Sequence, residues 1–175
     1  AYFKKTGEGK LTLSDASYNA NLRLGGVVEF TQDTTINGAL HIEEGAVVFL
    51  PYDATLVATG EVRIEPSVRF ILTTSPEANV TLVDAYTLLS SNTAAGLVID
   101  QLATLSVMWQ NIPEDETLSN PQVALAGDTL VYTLTRESAK MWTGATSSDW
   151  STASNWADNT VPDAEASVRF TDTAS

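Results

Sequence analysis

Apolar residues recur at every second position along most of this chain, as in Leu11 and Leu13, Leu22 and Leu24, Leu40 and Ile42, Val62 and Ile64, Val80 and Leu82, Leu105 and Val107, Leu130, Tyr132 and Leu134, and Val168 and Phe170. A period of two sends successive side chains to opposite faces of a strand, so one face enters a core while the other meets water. The pattern predicts strands throughout. Between Asp84 and Ala95 the chain is rich in Ser, Thr and Asn and lacks an apolar stripe at helical spacing. Ala85 to Ser90 therefore reads as another strand, and the residues after it as a loop.

A small residue introduces most of these strands in the same place. The pattern is Gly or Ala, any residue, Val or Leu, any residue, then a second apolar residue. It runs through Gly9 to Leu13, Gly26 to Phe30, Gly38 to Ile42, Gly60 to Ile64, Ala78 to Leu82 and Ala103 to Val107. The best-matched copies, Gly38 to Leu50 and Gly60 to Leu72, lie about 22 residues apart, near the length of one β-solenoid coil. A Gly suits such a corner because the backbone must turn where a β-carbon would obstruct it. Stacking accounts for the repetition, since one coil cannot bury its inward face alone and neighbouring coils bury each other's. The expected fold is all-β, a β-solenoid. The alternative is a β-sandwich whose hairpins begin with Gly.

From Gln110 to Ala126 the texture changes to Pro113-Glu114-Asp115-Glu116 and Asn120-Pro121, a loop or turn composition. Strands at Val123 to Leu125 and Thr129 to Thr135 then close the first unit. The charged link Arg136 to Lys140 precedes a stretch dense in Trp, Ser and Thr. The expected division is residues 1–136 as the solenoid repeat unit and 137–175 as the start of a following β unit.

Composition narrows the functional classes. Nine basic residues against 22 acidic ones give a formal charge of -13, which repels a phosphate backbone and an anionic bilayer alike. No apolar run approaches the roughly 18 residues of a membrane helix. We therefore expect no nucleic-acid partner and no direct membrane insertion by this segment. The chain contains no cysteine, which excludes disulfides, thiolate metal sites and a Cys nucleophile. The opening Ala1 to Lys5 carries no signal-peptide stretch, and the chain stops soon after Phe170. The expectation is a slice of a much longer polypeptide, with any export signal removed or lying upstream.

The segment Lys5-Thr6-Gly7-Glu8-Gly9-Lys10-Leu11-Thr12-Leu13-Ser14 resembles the start of the autotransporter-associated β-strand repeat, K-x-G-x-G-x-L-x-L and a small polar loop. Thr34-Thr35-Ile36-Asn37-Gly38-Ala39-Leu40-His41-Ile42 is similar to its second segment, T-x-I-N-G-G-x-L-x-I. Ala85 to Ser90 and Gly127 to Leu134 are similar to the closing strands of such passenger units. The likeness spans most of residues 4 to 136. Two departures are Asn21 to Gly25, where many copies carry a Tyr-Thr-Gly-Gly turn, and the long acidic Gln110 to Gln122. The tail, with Trp142-Thr143-Gly144, Trp150, Asn155-Trp156, Val161-Pro162 and Val168-Arg169-Phe170, resembles the W-x-G, W, NW, VP, V-x-F pattern that opens a β-helical unit in large bacterial surface proteins. The resemblance implies a right-handed parallel β-helix, export across the outer membrane and display at the cell surface or in the medium.

Candidate chemistry is sparse. Cleavage of sugars needs two carboxylates at a set distance. Glu43-Glu44, Asp53, Glu61, Glu65, Asp84 and Asp100 read instead as solvated groups on different coils, and Glu114-Asp115-Glu116 as a solubilising turn. The single histidine, His41, alternates with Leu40 and Ile42 and should point outward; alone it makes a poor zinc site. No Ser lies in a G-x-S-x-G setting, and no D-x-D-x-D-G loop offers a calcium site. We expect no catalytic residue, metal or cofactor. Trp142, Trp150 and Trp156, with Asn155, are the candidate glycan-binding residues, because Trp faces stack on sugar rings and Asn155 and Asp149 could bond hydroxyls. Packing around a small core is the competing use of the same rings, and of Tyr86 and Trp109 elsewhere. The leading expectation is a non-catalytic structural or adhesive segment of an autotransporter-type passenger, its partners being neighbouring modules of the same polypeptide and host or environmental glycans. The alternatives are a carbohydrate-binding module and a polysaccharide-degrading enzyme.

Overall fold

The computed structural model describes residues 1–74, 85–92, 96–111 and 116–170, with the side chains of 117, 119, 120 and 136–138 left aside. The described chain is built of strands, with two short 3-10 turns at Leu102–Thr104 and Ala153–Asn155. Contacts divide it into two units, residues 1–111 with 120–134 and residues 112–119 with 135–175.

In the first unit the strands come in successive triplets: β1 (Tyr2–Lys5), β2 (Leu11–Leu13) and β3 (Ser17–Tyr18); β4 (Asn21–Leu24), β5 (Val27–Phe30) and β6 (Thr34–Ile36); β7 (Leu40–Ile42), β8 (Val47–Pro51) and β9 (Leu56–Ala58); β10 (Val62–Ile64), β11 (Arg69–Thr73) and β12 (Ala85–Ser91). β13 (Leu97–Ile99) and β14 (Ser106–Gln110) follow, then β15 (Glu116–Ala126) and β16 (Thr129–Ser138), whose residues 116–119 and 135–138 are counted with the second unit. Members of a triplet do not pair with each other. Each joins its counterpart in the next triplet, giving three sheets in the orders β1-β4-β7-β10-β13, β2-β5-β8-β11-β14 and β3-β6-β9-β12-β16-β15. Every pairing from β1 to β14 is parallel, apart from the antiparallel β12–β16 pair. No antiparallel hairpin of the kind a sandwich requires occurs among β1 to β11.

Register explains why the two-residue period holds through unequal loops. Leu22 lies opposite Leu40, Leu40 opposite Val62 and Val62 opposite Leu97, so like residues stack in a column. A second column runs Leu24, Ile42, Ile64, and a third Val48, Phe70, Val107. Leu24, Ile42, Ile64, Val48 and Phe70 are fully buried. Burying each such side chain contributes about 1.5–3 kcal/mol, so the columns are the main source of stability in this unit. A slip by one residue would turn every column outward, which is why the register is strongly specified.

The corners show what the small residues do. A β-carbon on Gly38 would stand 2.6 Å from the Ala20 carbonyl oxygen, and one on Gly60 would stand 2.7 Å from Ala39 N and Gly38 C. Main chain passes over main chain there, and the Gly60 N–H donates to the Gly38 carbonyl at 2.9 Å. Beside these glycines Asn37 Nδ2 donates to Asn19 Oδ1 at 2.8 Å, and Asn21 Oδ1 accepts from Ala39 N at 2.8 Å. A second corner, after the first strand of each triplet, carries one left-handed residue per triplet: Gly7, Gly26, Gly45, then Ser67 (φ 62) and Gln101 (φ 58).

The strand expected at Ala103 to Val107 begins at Ser106 instead, because Leu102–Thr104 tightens into a 3-10 turn that leads Leu105 into the core. The strands expected at Val123 to Leu125 and Thr129 to Thr135 lie within β15 and β16, and the loop expected before Val123 gives way to strand from Glu116 onward. Pro121 lies on the outermost strand of its sheet, where a residue without an N–H is tolerated. β15 and β16 are sheet neighbours joined through Gly127-Asp128, and so short a connection makes them a hairpin. Ala85 to Ser90 is a strand as expected. The repeat copy at Ala78 to Leu82 and residues Asp84, Pro113, Glu114 and Asp115 lie outside the described residues.

In the second unit β17 (Lys140–Trp142) pairs in parallel with β18 (Val168–Phe170), Trp142 opposite Phe170. Between them a loop returns so that Trp142 and Trp156 form an antiparallel bridge.

Candidate functional site

Two side-chain clusters have enough organisation to carry chemistry, one in each unit. On the outward face of the first sheet, register sets Lys4 beside Arg23, Arg23 beside His41 and His41 beside Arg63. The cations Lys4, Arg23 and Arg63 in such a file repel, and carboxylates just past the strand ends offset this. Glu43 takes Lys4 at 3.2 Å and Arg23 at 2.6 Å, Glu65 takes His41 Nε2 at 2.7 Å, and Asp100 takes Arg63 at 2.7 Å. The three acids occupy matching positions, since the N–H groups of Glu43, Glu65 and Asp100 donate to the carbonyls of Leu24, Ile42 and Ile64. Thus Glu43, Glu65 and Asp100, expected as unrelated groups on separate coils, form a line. His41 points outward as its alternation with Leu40 and Ile42 predicts.

The electrostatics decide what this line can do. The Arg23 guanidinium, with Lys4 behind it, holds the Glu43 carboxyl below the usual carboxylate range. For Glu65 the Glu44 backbone N–H acts in the same direction, followed by His41. A glycoside-cleaving pair needs one carboxyl kept protonated near neutral pH, which requires a shift upward. Glu43 and Glu65 are shifted the other way. The arrangement suits a ladder of polar and ion-pair contacts tying one triplet to the next, with solvent screening keeping each exposed rung weak.

The second cluster forms around Asn155. Its amide oxygen accepts from the N–H groups of Thr146 and Ser147, both at 2.9 Å, and its Nδ2 donates to Ser147 Oγ at 3.0 Å and to the Asp149 carbonyl at 2.8 Å. Two acceptances and two donations use the whole capacity of a side-chain amide. The Asn155 main-chain carbonyl also accepts from the N–H and hydroxyl of Thr143 at 2.8 and 3.0 Å. Asn155 is fully buried. It shapes the loop from within, and no group on its amide is left to bond a sugar hydroxyl.

The three tryptophans pack beside this loop. Trp142 and Trp150 are stacked with centroids 5.9 Å apart and planes at 16°. Trp156 stands edge-on to both, at 5.0 and 4.6 Å, and its indole N–H donates to the Trp150 carbonyl at 3.0 Å. Trp156 and Trp142 are buried, whereas Trp150 keeps 45% of its surface exposed. Of the four candidates, Trp142, Trp150, Trp156 and Asn155, only Trp150 is exposed. Sequence reasoning omitted Phe170, 65% exposed and 6.4 Å from the Trp150 ring. The V-x-F alternation hinted at a strand, but only the β17–β18 pairing brings Phe170 opposite Trp142.

In the first unit Trp109 packs against Tyr86 at 5.1 Å and Tyr52 at 6.3 Å, and Tyr86 lies 6.2 Å from Tyr132. This is aromatic packing, with Tyr86 and Tyr132 buried. Asp149 is held below its usual range by the N–H and then the hydroxyl of Ser151. Among the described residues no group of three or more His, Cys, Asp or Glu could hold a metal ion, and no helix is long and apolar enough to cross a membrane. Comparison of the chain with protein-family models, curated proteins and solved structures finds no match.

Proposed function

We propose that residues 1–136 form a right-handed parallel β-solenoid and that the chain is a non-catalytic structural or adhesive segment of an autotransporter-type passenger, displayed outside the cell. The observation that carries this reading is the register itself. Successive triplets lay one strand each on three parallel sheets, and identical or similar apolar residues stack in column after column. Such a stack extends by adding coils, which suits a stalk that holds other modules away from a surface. The repeat motifs at Lys5 to Ser14 and Thr34 to Ile42 supply the link to exported passengers, and the absence of cysteine is compatible with a chain held by ladders and core rather than disulfides.

The architecture is tested by duplicating residues 38–59 in tandem. A solenoid accommodates one more repeat and gains unfolding free energy, because stability is a sum over repeats and their interfaces. A closed two-layer fold would be disrupted, and loss of cooperative unfolding would refute the solenoid. Display is tested by labelling intact source cells with antibody raised against the chain. Labelling that needs permeabilised cells would refute export. A polysaccharide-degrading activity, measured as reducing ends or unsaturated products that increase with purified chain, would overturn the non-catalytic reading.

A further inference from the structure

Among the described residues of unit 2, Trp150 and Phe170 are exposed aromatics. Trp150 and Phe170 expose 45% and 65% of their surface, with ring centroids 6.4 Å apart. On the 150–250 Å² scale of such side chains this leaves roughly 200 Å² of open aromatic surface. A stable protein partner buries about 800 Å² on each side, four times as much. The patch matches the footprint of a few sugar rings.

We propose that Trp150 and Phe170 form a binding platform for a neutral oligosaccharide. Sugar rings present faces of polarised C–H groups, which the negative face of an aromatic ring attracts. The platform is already rigid. Trp150 is stacked on buried Trp142, abutted by Trp156, and tethered through its carbonyl to the Trp156 indole N–H at 3.0 Å. A ring held in this way loses little freedom on binding. Hydroxyl partners lie in the same loop. Asp149 Oδ1 accepts from the N–H and the hydroxyl of Ser151, while among the described residues Oδ2 takes a long 3.4 Å bond from Thr152, so the carboxylate retains acceptor capacity. The two rings are tilted by 53° rather than coplanar, a geometry that follows a twisted single chain better than the flat face of a crystalline polymer. The formal charge of -13 disfavours uronic-acid and sulfated sugars. The inference rests on unit 2 alone and stands or falls independently of the solenoid reading.

The test is titration of the full chain with cellohexaose, xylohexaose and laminarihexaose, and with hexagalacturonate as the anionic comparison, followed by Trp fluorescence and calorimetry. The expected result is saturable binding of at least one neutral sugar with Kd on the order of 0.1–1 mM, weakened about tenfold or more by Trp150→Ala and by Phe170→Ala. Phe170 is the more exposed of the two, so F170A decides the matter should W150A lose its near-UV circular dichroism. Absence of saturation by every neutral sugar up to about 10 mM overturns the proposal. So does binding that survives both substitutions, or tighter binding of hexagalacturonate. Sugar-independent dimerisation abolished by F170A would also overturn it, by assigning the patch to a second copy of the chain.

Discussion

Replacing Gly60 by Ala adds one methyl group at a corner where main chain lies on main chain. The new carbon would stand 2.7 Å from Ala39 N and Gly38 C and 2.8 Å from the Gly38 oxygen, against 3.4 Å for ordinary contact. The two segments must separate there by about 0.7 Å, and the obstructing atoms are backbone, which cannot rotate away as a side chain would. Overpacking of this kind costs about 1–3 kcal/mol. The lost flexibility of the unfolded chain returns about 0.4–1 kcal/mol, so the net loss is about 1–2 kcal/mol. Two other glycines calibrate it. Gly45 has open space around it but a φ of +68°, so G45A suffers backbone strain alone, about 1–2 kcal/mol before the same offset. Gly9 has neither a neighbour within 4 Å nor a left-handed backbone, so G9A should be neutral or slightly stabilising. Urea unfolding followed by far-UV circular dichroism gives all three midpoints, and heating should show about 2–4 °C per kcal/mol. Equal midpoints for G60A and G9A would refute the claim that close backbone approach at the corners governs the stacking.

Ser67 occupies the left-handed corner position that Gly45 fills one triplet earlier, so Ser67→Gly should stabilise the first unit by about 0.5–1 kcal/mol, read as a raised urea midpoint. Asn155→Ala removes the oxygen that accepts from the N–H groups of Thr146 and Ser147, at about 0.5–1.5 kcal/mol for each bond lost, and should abolish the near-UV signal of the Trp cluster. Ile64→Ala opens a cavity in a fully buried column and should cost about 2–5 kcal/mol in the same urea assay. Glu43 and Glu65 titrate lower in the folded chain than the ordinary value near about 4.3, so the unfolded chain binds protons first on acidification. Their contribution should be present above about pH 5 and fade as pH falls through the folded values, and Glu43→Gln should flatten that acid limb.

Local chemistry made some features legible and hid others. Alternation at Leu40 and Ile42 or Val62 and Ile64 marks a strand because a two-residue period has one structural meaning, and the outward direction of His41 follows from the same rule. The extent of β15 was hidden because Asn120 and Pro121 read as a turn, and only its place at the sheet edge lets a residue without an N–H remain in the strand. The line of Glu43, Glu65 and Asp100 was hidden because unequal loops separate them in sequence, and it is the hydrogen-bond register that equates their positions. Asn155 was legible as a polar residue among tryptophans, but not as one turned inward.

By itself the sequence determined the strand periods, the small residues at the corners and the acidic balance, all of which depend on a residue and its immediate neighbours. Only the tertiary structure decided which strand lies on which, that the pairing is parallel, which carboxylate meets which cation, and that Trp142 and Trp156 are buried while Trp150 and Phe170 face outward. Pairing and burial depend on surfaces brought together from distant parts of the chain, and their energies exist only once those surfaces meet.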